Sequence, residues 1–134
     1  MQDLSQDVFI LGYPFGSKWG LFPIWKRGSI ATEPAIDISN LPYYFVDTAS
    51  RSGMSGSPVV VKERRPVTIM HENGRLERYF THFLGIYSGR EGVTEDESLI
   101  QLGRVWKPIV IDEIIAGGIL GVHGYENDHS VSVP

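Results

Sequence analysis

Apolar and polar positions alternate in short runs along most of this chain, and a helical period emerges only near its end. Asp7–Gly12 (DVFILG) is a brief apolar run closed by the turn-forming Gly12-Tyr13-Pro14-Phe15-Gly16, which predicts a buried strand entering a loop. Trp25–Glu33 carries β-branched residues between Pro23 and Pro34 and predicts a second strand; Tyr43–Thr48 and Pro58–Lys62 predict a third and a fourth. Val67–His71, Glu72-Asn73-Gly74 and the run from Arg75 together predict a hairpin, because Asn-Gly supplies the positive φ of a tight reversal. The returning strand is expected to continue through Phe83-Leu84-Gly85-Ile86-Tyr87. Arg90–Glu97 is acidic and predicts an exposed loop, and Ser98–Trp106 a final strand. The period then changes. Pro108 at a first-turn position, Ile109, Val110, Ile111, Ile114 and Ile115, and then Gly117-Gly118, predict one short helix. Gly121–Pro134 predicts a loosely ordered tail. Short strands followed by one terminal helix point to an all-β barrel or sandwich.

Composition narrows the function classes more than it narrows the fold. The 134 residues suffice for one domain with a modest core, and 42% apolar with 21% charged is ordinary for a globular protein. A net charge of −4 argues against nucleic acid and anionic lipid as partners. The basic cluster Lys62, Arg64 and Arg65 is interrupted by Glu63 and predicts a solvated loop. No apolar run reaches the ~18 residues that span a bilayer, and no basic-then-apolar leader opens the chain, so a soluble protein away from membranes is expected. Cysteine is absent, which excludes disulfides, thiolate catalysis and thiolate zinc sites among these residues. No metal and no cofactor is expected.

The stretch with chemical content is Arg51-Ser52-Gly53-Met54-Ser55-Gly56-Ser57-Pro58, running into the apolar Val59-Val60-Val61. A serine nucleophile needs an exposed hydroxyl and backbone N–H groups aimed at the developing oxyanion. Gly53, lacking a Cβ, can turn its N–H toward that point, and the N–H of Ser55 would be the second donor. Gly56 keeps the space beside Oγ clear, and Pro58 fixes the exit into a strand. The same residues also fit a Gly/Ser-rich turn with no chemistry. They do not fit the Gly-x-Ser-x-Gly elbow of α/β-hydrolases, because Ser57 stands where the last glycine belongs.

Gly53-Met54-Ser55-Gly56-Ser57-Pro58 resembles the nucleophile signature of trypsin-like peptidases, and neighbouring segments are similar to the bacterial, HtrA-like branch. Phe9–Gly16 resembles the strand and loop that open that family's second barrel. Asp47-Thr48-Ala49, eight positions before Ser55, matches its strand-end aspartate. Leu84-Gly85-Ile86-Tyr87-Ser88 looks like the strand lining the substrate cleft, and Gly103-Arg104-Val105-Trp106 like the closing strand before the C-terminal helix. The resemblance covers Asp7 to about Ala116 in order. It implies a single antiparallel Greek-key β-barrel, the second barrel of the chymotrypsin fold, with a short C-terminal helix. Residues 1–120 would form that barrel half and residues 121–134 the tail. It implies a serine endopeptidase acting through an acyl-enzyme on Ser55, with Gly53 at the oxyanion site. Ala49, Ser50 and Ile100 would line a primary pocket, and Ser88, Gly89 and Arg90 would pair with an extended polypeptide substrate. Neutral Ala49 and Ser50 imply cleavage after apolar or small residues. The lack of cysteine fits a bacterial protein, cytoplasmic or periplasmic.

The departures from the family define what else is needed. Its catalytic His and Asp come from an N-terminal barrel, and only six residues precede Asp7. Met54 replaces the acid that trypsin carries before its serine. Of the four histidines, His71 and His82 belong to the hairpin and its return strand, and His123 and His129 to the tail, with none in a recognisable base context. In triad hydrolases, loss of a triad member leaves about 10³–10⁴-fold catalysis over water. The chain alone is therefore expected to be inactive, with a separate barrel supplying His and Asp. Apolar residues of the exposed seam, including some of Phe15, Trp19, Leu21, Phe22 and Trp25, would then drive self-association or docking of that barrel. The alternative is a non-catalytic peptide-binding or scaffold module, holding an extended ligand along Ser88-Gly89-Arg90 by strand addition.

Overall fold

The computed structural model describes residues 3–14, 21–49, 53–68, 75–90 and 102–119, and for 67–68, 75–77 and 90 the backbone alone. Its elements are β1 (Asp7–Gly12), β2 (Ile24–Ile30), β3 (Tyr43–Asp47), β4 (Pro58–Thr68), β5 (Arg75–Arg90), β6 (Leu102–Trp106) and α1 (Ile109–Gly117). All strand pairs are antiparallel, and the order β1-β2-β3-β6-β5-β4 closes into a barrel. The chain is all-β with one short helix. The seam is sealed by Phe9 opposite Val60 and Ile10 opposite Val59.

Strand alternation builds the core. Val8 and Ile10 point inward from β1, Val46 from β3, Val59 from β4 and Val105 from β6, each at most 1% exposed. Residues between them face outward: Phe9 stacks on Trp25 across the β1–β2 pair, with ring centroids 5.9 Å apart. Tyr44 is also inside. Its hydroxyl donates to the Leu84 carbonyl, and burial pushes its pKa well above the usual tyrosine range.

The fourth strand is longer than its apolar residues predict. Lys62, Arg64 and Arg65, expected in a solvated loop, continue β4 and pair with Thr81, Tyr79 and Arg78 of β5. They stay exposed, so solvation holds while the loop does not. Cross-strand contacts replace a core here: Lys62 Nζ sits 4.5 Å from the Tyr79 ring centroid, and the Arg65 guanidinium 5.8 Å from that of Phe80. Because β1 pairs only as far as Val60 and β6 only from Ile86, residues 62–68 and 75–81 form a two-stranded ribbon beyond the barrel. The Glu72-Asn73-Gly74 turn, the acidic loop 91–97 and the tail 121–134 lie outside the described residues, as do positions 98–101 of the last expected strand.

After β6 the chain turns into α1. Pro108 caps its start with helical φ, and Gly118 (φ 61°) ends it, donating its N–H to the Ile115 carbonyl. No residue of α1 is buried. Among the described residues, no helix is long and apolar enough to cross a membrane.

Candidate active site

The Gly53–Ser57 turn sits at one end of the barrel and is held there from three sides. Met54 inserts its side chain into the core, 1% exposed, and Ser57 is also buried. Gly56 donates its N–H to the Tyr87 carbonyl (2.7 Å), and Tyr87 donates its own to the Ser57 carbonyl (2.9 Å), so the turn is laced to β5. A further bond from Ser57 N–H to the Met54 carbonyl (3.1 Å) closes the turn itself. On the third side is β1. A methyl on Gly12 would run into the Ser57 hydroxyl and the Met54 thioether, so the side chains of the turn pack directly on the β1 backbone.

Gly53 (φ 93°) and Gly56 (φ 86°) both occupy left-handed backbone conformations that side chains oppose. Between them Met54 points in and Ser55 points out, exposed to solvent. Among the described residues, nothing accepts a hydrogen bond from the N–H of Gly53 or Ser55. Ser55 Oγ faces β5, lying 3.3 Å from where a methyl on Gly89 would stand.

The β5 segment opposite the serine is itself irregular. Tyr87 pairs with Val105 and Arg90 with Gly103, so Ser88 and Gly89 share Arg104 as their only opposite residue, which makes a bulge. Ser88 is exposed, and its hydroxyl accepts a hydrogen bond from the Trp106 indole N–H (3.0 Å). Trp106 is oriented by an outer aromatic stack: its ring centroid is 5.3 Å from that of Tyr43, which lies 5.6 Å from Phe45. Sequence reasoning missed this indole, for which the tryptophan that ends the closing strand was the available signal.

The other candidates divide. Ala49 is exposed just beyond β3, next to Thr48, whose buried hydroxyl donates to the Arg27 carbonyl. Ser50, Ile100 and the Arg90 side chain fall outside the described residues, as do His71, His123 and His129. His82 is exposed on β5, with Nε2 3.6 Å from Glu63. Glu63 is committed to Arg65, whose hydrogen bond holds its carboxyl below the usual glutamate range. Among the described residues, no histidine or carboxylate bonds to Ser55, and no cluster of three metal-binding side chains forms.

Fold and site together define an all-β barrel that presents an exposed serine on a glycine-flanked turn, facing a bulged strand. Comparison with known proteins finds no matching family model, curated protein or solved structure.

Proposed function

We propose that this chain is the serine-bearing, Greek-key barrel of a trypsin-like peptidase, acting with a second unit that supplies His and Asp. The observation that carries the reading is the seating of Ser55: an exposed hydroxyl between two positive-φ glycines, with its Oγ over Gly89. A side chain anchored by Met54 and by backbone bonds to β5 is preorganised, which is what nucleophilic attack requires. In the reaction, Ser55 Oγ forms a bond to the scissile carbonyl carbon as its proton passes to the histidine. The Gly53 and Ser55 N–H groups receive the oxyanion. The C–N bond then breaks, the amine leaves with that proton, and water hydrolyses the acyl-serine. The substrate is a polypeptide laid along Ser88-Gly89-Arg90 and cut after an apolar or small residue, since Ala49 and Ser50 bring no charge to its pocket.

A fluorophosphonate probe tests this. It should label Ser55, identified by peptide mass spectrometry, faster when the His-bearing unit is present, and Ser55→Ala should abolish the adduct. Labelling at another serine, unaffected by Ser55→Ala, overturns the reading.

A second reading has one observation in its favour: among the described residues no base reaches Ser55. On that reading the barrel is a peptide-binding module using the Ser88–Arg90 edge. Its mark is peptide affinity that survives Ser55→Ala in a chain that takes no fluorophosphonate.

A further inference from the structure

The two-stranded ribbon beyond the barrel concentrates positive charge in an acidic chain. Its strands, 62–68 and 75–81, carry Lys62, Arg64, Arg65, Arg75 and Arg78 against Glu63 and Glu77, whereas the whole chain has a net charge of −4. That overall charge speaks against a polyanionic partner for the barrel, but screening limits its reach to about 8 Å at physiological ionic strength. A strand of this length spans roughly 23 Å, so most of the ribbon stands clear of charges on the barrel. β4 leaves the serine turn at Pro58 and carries the ribbon away from it, so the ribbon surface does not depend on the serine-peptidase reading.

Successive side chains of a strand point to opposite faces, and directly paired residues share one. Lys62 and Arg64 share a face with Tyr79 and Thr81, while Arg65, Arg78 and Phe80 lie on the other, where Glu63 offsets Arg65. On the first face Lys62 and Arg64 are exposed, and the Lys62 ammonium sits 4.5 Å from the centroid of the Tyr79 ring, a residue 63% exposed. This face offers an aromatic plane with one cation against it and a second cation two residues along. Proteins hold a single nucleic-acid strand with such a set: bases stack on the ring and phosphates meet the cations. A membrane fits less well, because a ring entering the acyl region would take its ammonium with it. An added peptide strand also fits less well. Pro66, inside the β4 ladder opposite Glu77, has no N–H to donate and interrupts the outer edge. We infer that the face bearing Lys62, Arg64 and Tyr79 binds single-stranded nucleic acid, with a base on the Tyr79 ring and backbone phosphates on Lys62 and Arg64.

The test is fluorescence anisotropy on the full chain alone, with a labelled oligothymidylate of about twelve nucleotides, within the usual span of single-strand sites. Affinity should fall with salt at a logarithmic slope near ~−1.4, which is about −0.7 for each of two phosphates. Lys62→Gln or Arg64→Gln should each reduce the slope by about 0.7. Tyr79→Leu should weaken binding about tenfold at unchanged slope, and Tyr79→Phe, which keeps the ring, should bind like the wild type. Arg78→Gln removes the same charge from the opposite face and should leave the slope as it is. All five substituted side chains lie on exposed positions, and cross-strand NOEs between residues 62–66 and 77–81 report that the ribbon persists in each variant. If Arg78→Gln costs as much as Lys62→Gln and Tyr79→Leu costs nothing, the attraction is diffuse and the site is overturned. Absence of binding at low salt overturns it outright. Tighter binding to phosphatidylserine vesicles or to polyglutamate than to the oligonucleotide would overturn it too, giving the face to a membrane or to an acidic protein.

Discussion

Two glycines near Ser55 are needed for different physical reasons, and the difference is measurable. Gly56 has open space around it, so a methyl there meets no atom within 4 Å, and the cost of Gly56→Ala comes only from its φ of 86°. About 1–2 kcal/mol is expected for an L-residue in that region. Gly12 has no such φ, but a methyl there collides with Ser57 Oγ and Met54 Sδ. Overpacking of this kind costs about 1–3 kcal/mol. Urea unfolding should register both losses. Fluorophosphonate labelling should separate them, because a methyl at Gly12 makes the Ser57 and Met54 side chains that seat the turn shift, and this slows labelling without touching Ser55. Equal labelling rates in wild type and Gly12→Ala would mean that the turn does not depend on its seat. At this scale the sequence was most informative. The spacing of Gly53, Ser55 and Gly56 reflects local backbone demands and can be read without a fold. Gly89, whose contact with Ser55 crosses 34 positions, and the Trp106–Ser88 bond depend on tertiary pairing that no local pattern encodes.

The elements were legible where one face of a strand is buried. Val8 and Ile10 alternate with Phe9 because the barrel interior selects them, whereas Val59, Val60 and Val61 are all buried and read as a continuous apolar run. Lys62-Glu63-Arg64-Arg65 has no such alternation, since the ribbon exposes both faces, and its extended state comes from pairing with residues 78–81. A two-stranded ribbon is marginal by itself, which makes its side-chain contacts worth testing. The Arg65 hydrogen bond holds Glu63 below the usual glutamate range, and His82 lies on the same carboxylate. With a folded-state value below the unfolded one, the contribution to stability is present above the ordinary glutamate pKa and is lost as pH falls through the lowered value. Both partners are solvent-accessible, so the effect on global stability is small. Carbon-13 NMR should place the Glu63 midpoint below that of an isolated glutamate, and Arg65→Gln should raise it. A midpoint indifferent to Arg65 would show that the pair does not persist in solution.

For the whole molecule, the barrel accounts for its own core but not for its helix. Ile109, Ile114 and Ile115 are 50%, 66% and 72% exposed, although α1 follows directly from a strand that is fully integrated. Between the helix and the barrel runs an apolar groove of about 310 Å³, lined by Ile86, Trp106, Lys107, Val110, Ile111 and Ile114. Trp106 joins it to the serine site, since the same indole bonds Ser88. A helix apolar on most of its surface is normally buried, and this one would be covered by the unit proposed to bring His and Asp. Without that unit the isolated chain should self-associate through α1, and sedimentation should give dimers or larger species that dissociate as the second unit is added. Ile114→Lys with Ile115→Glu should return the chain to a monomer with its barrel intact, because neither side chain contributes to the core. The same double variant should weaken capture of the second unit. A wild-type chain that sediments as a monomer and has no affinity for such a unit would remove the need for a cover, leaving an autonomous peptide-binding barrel as the better account.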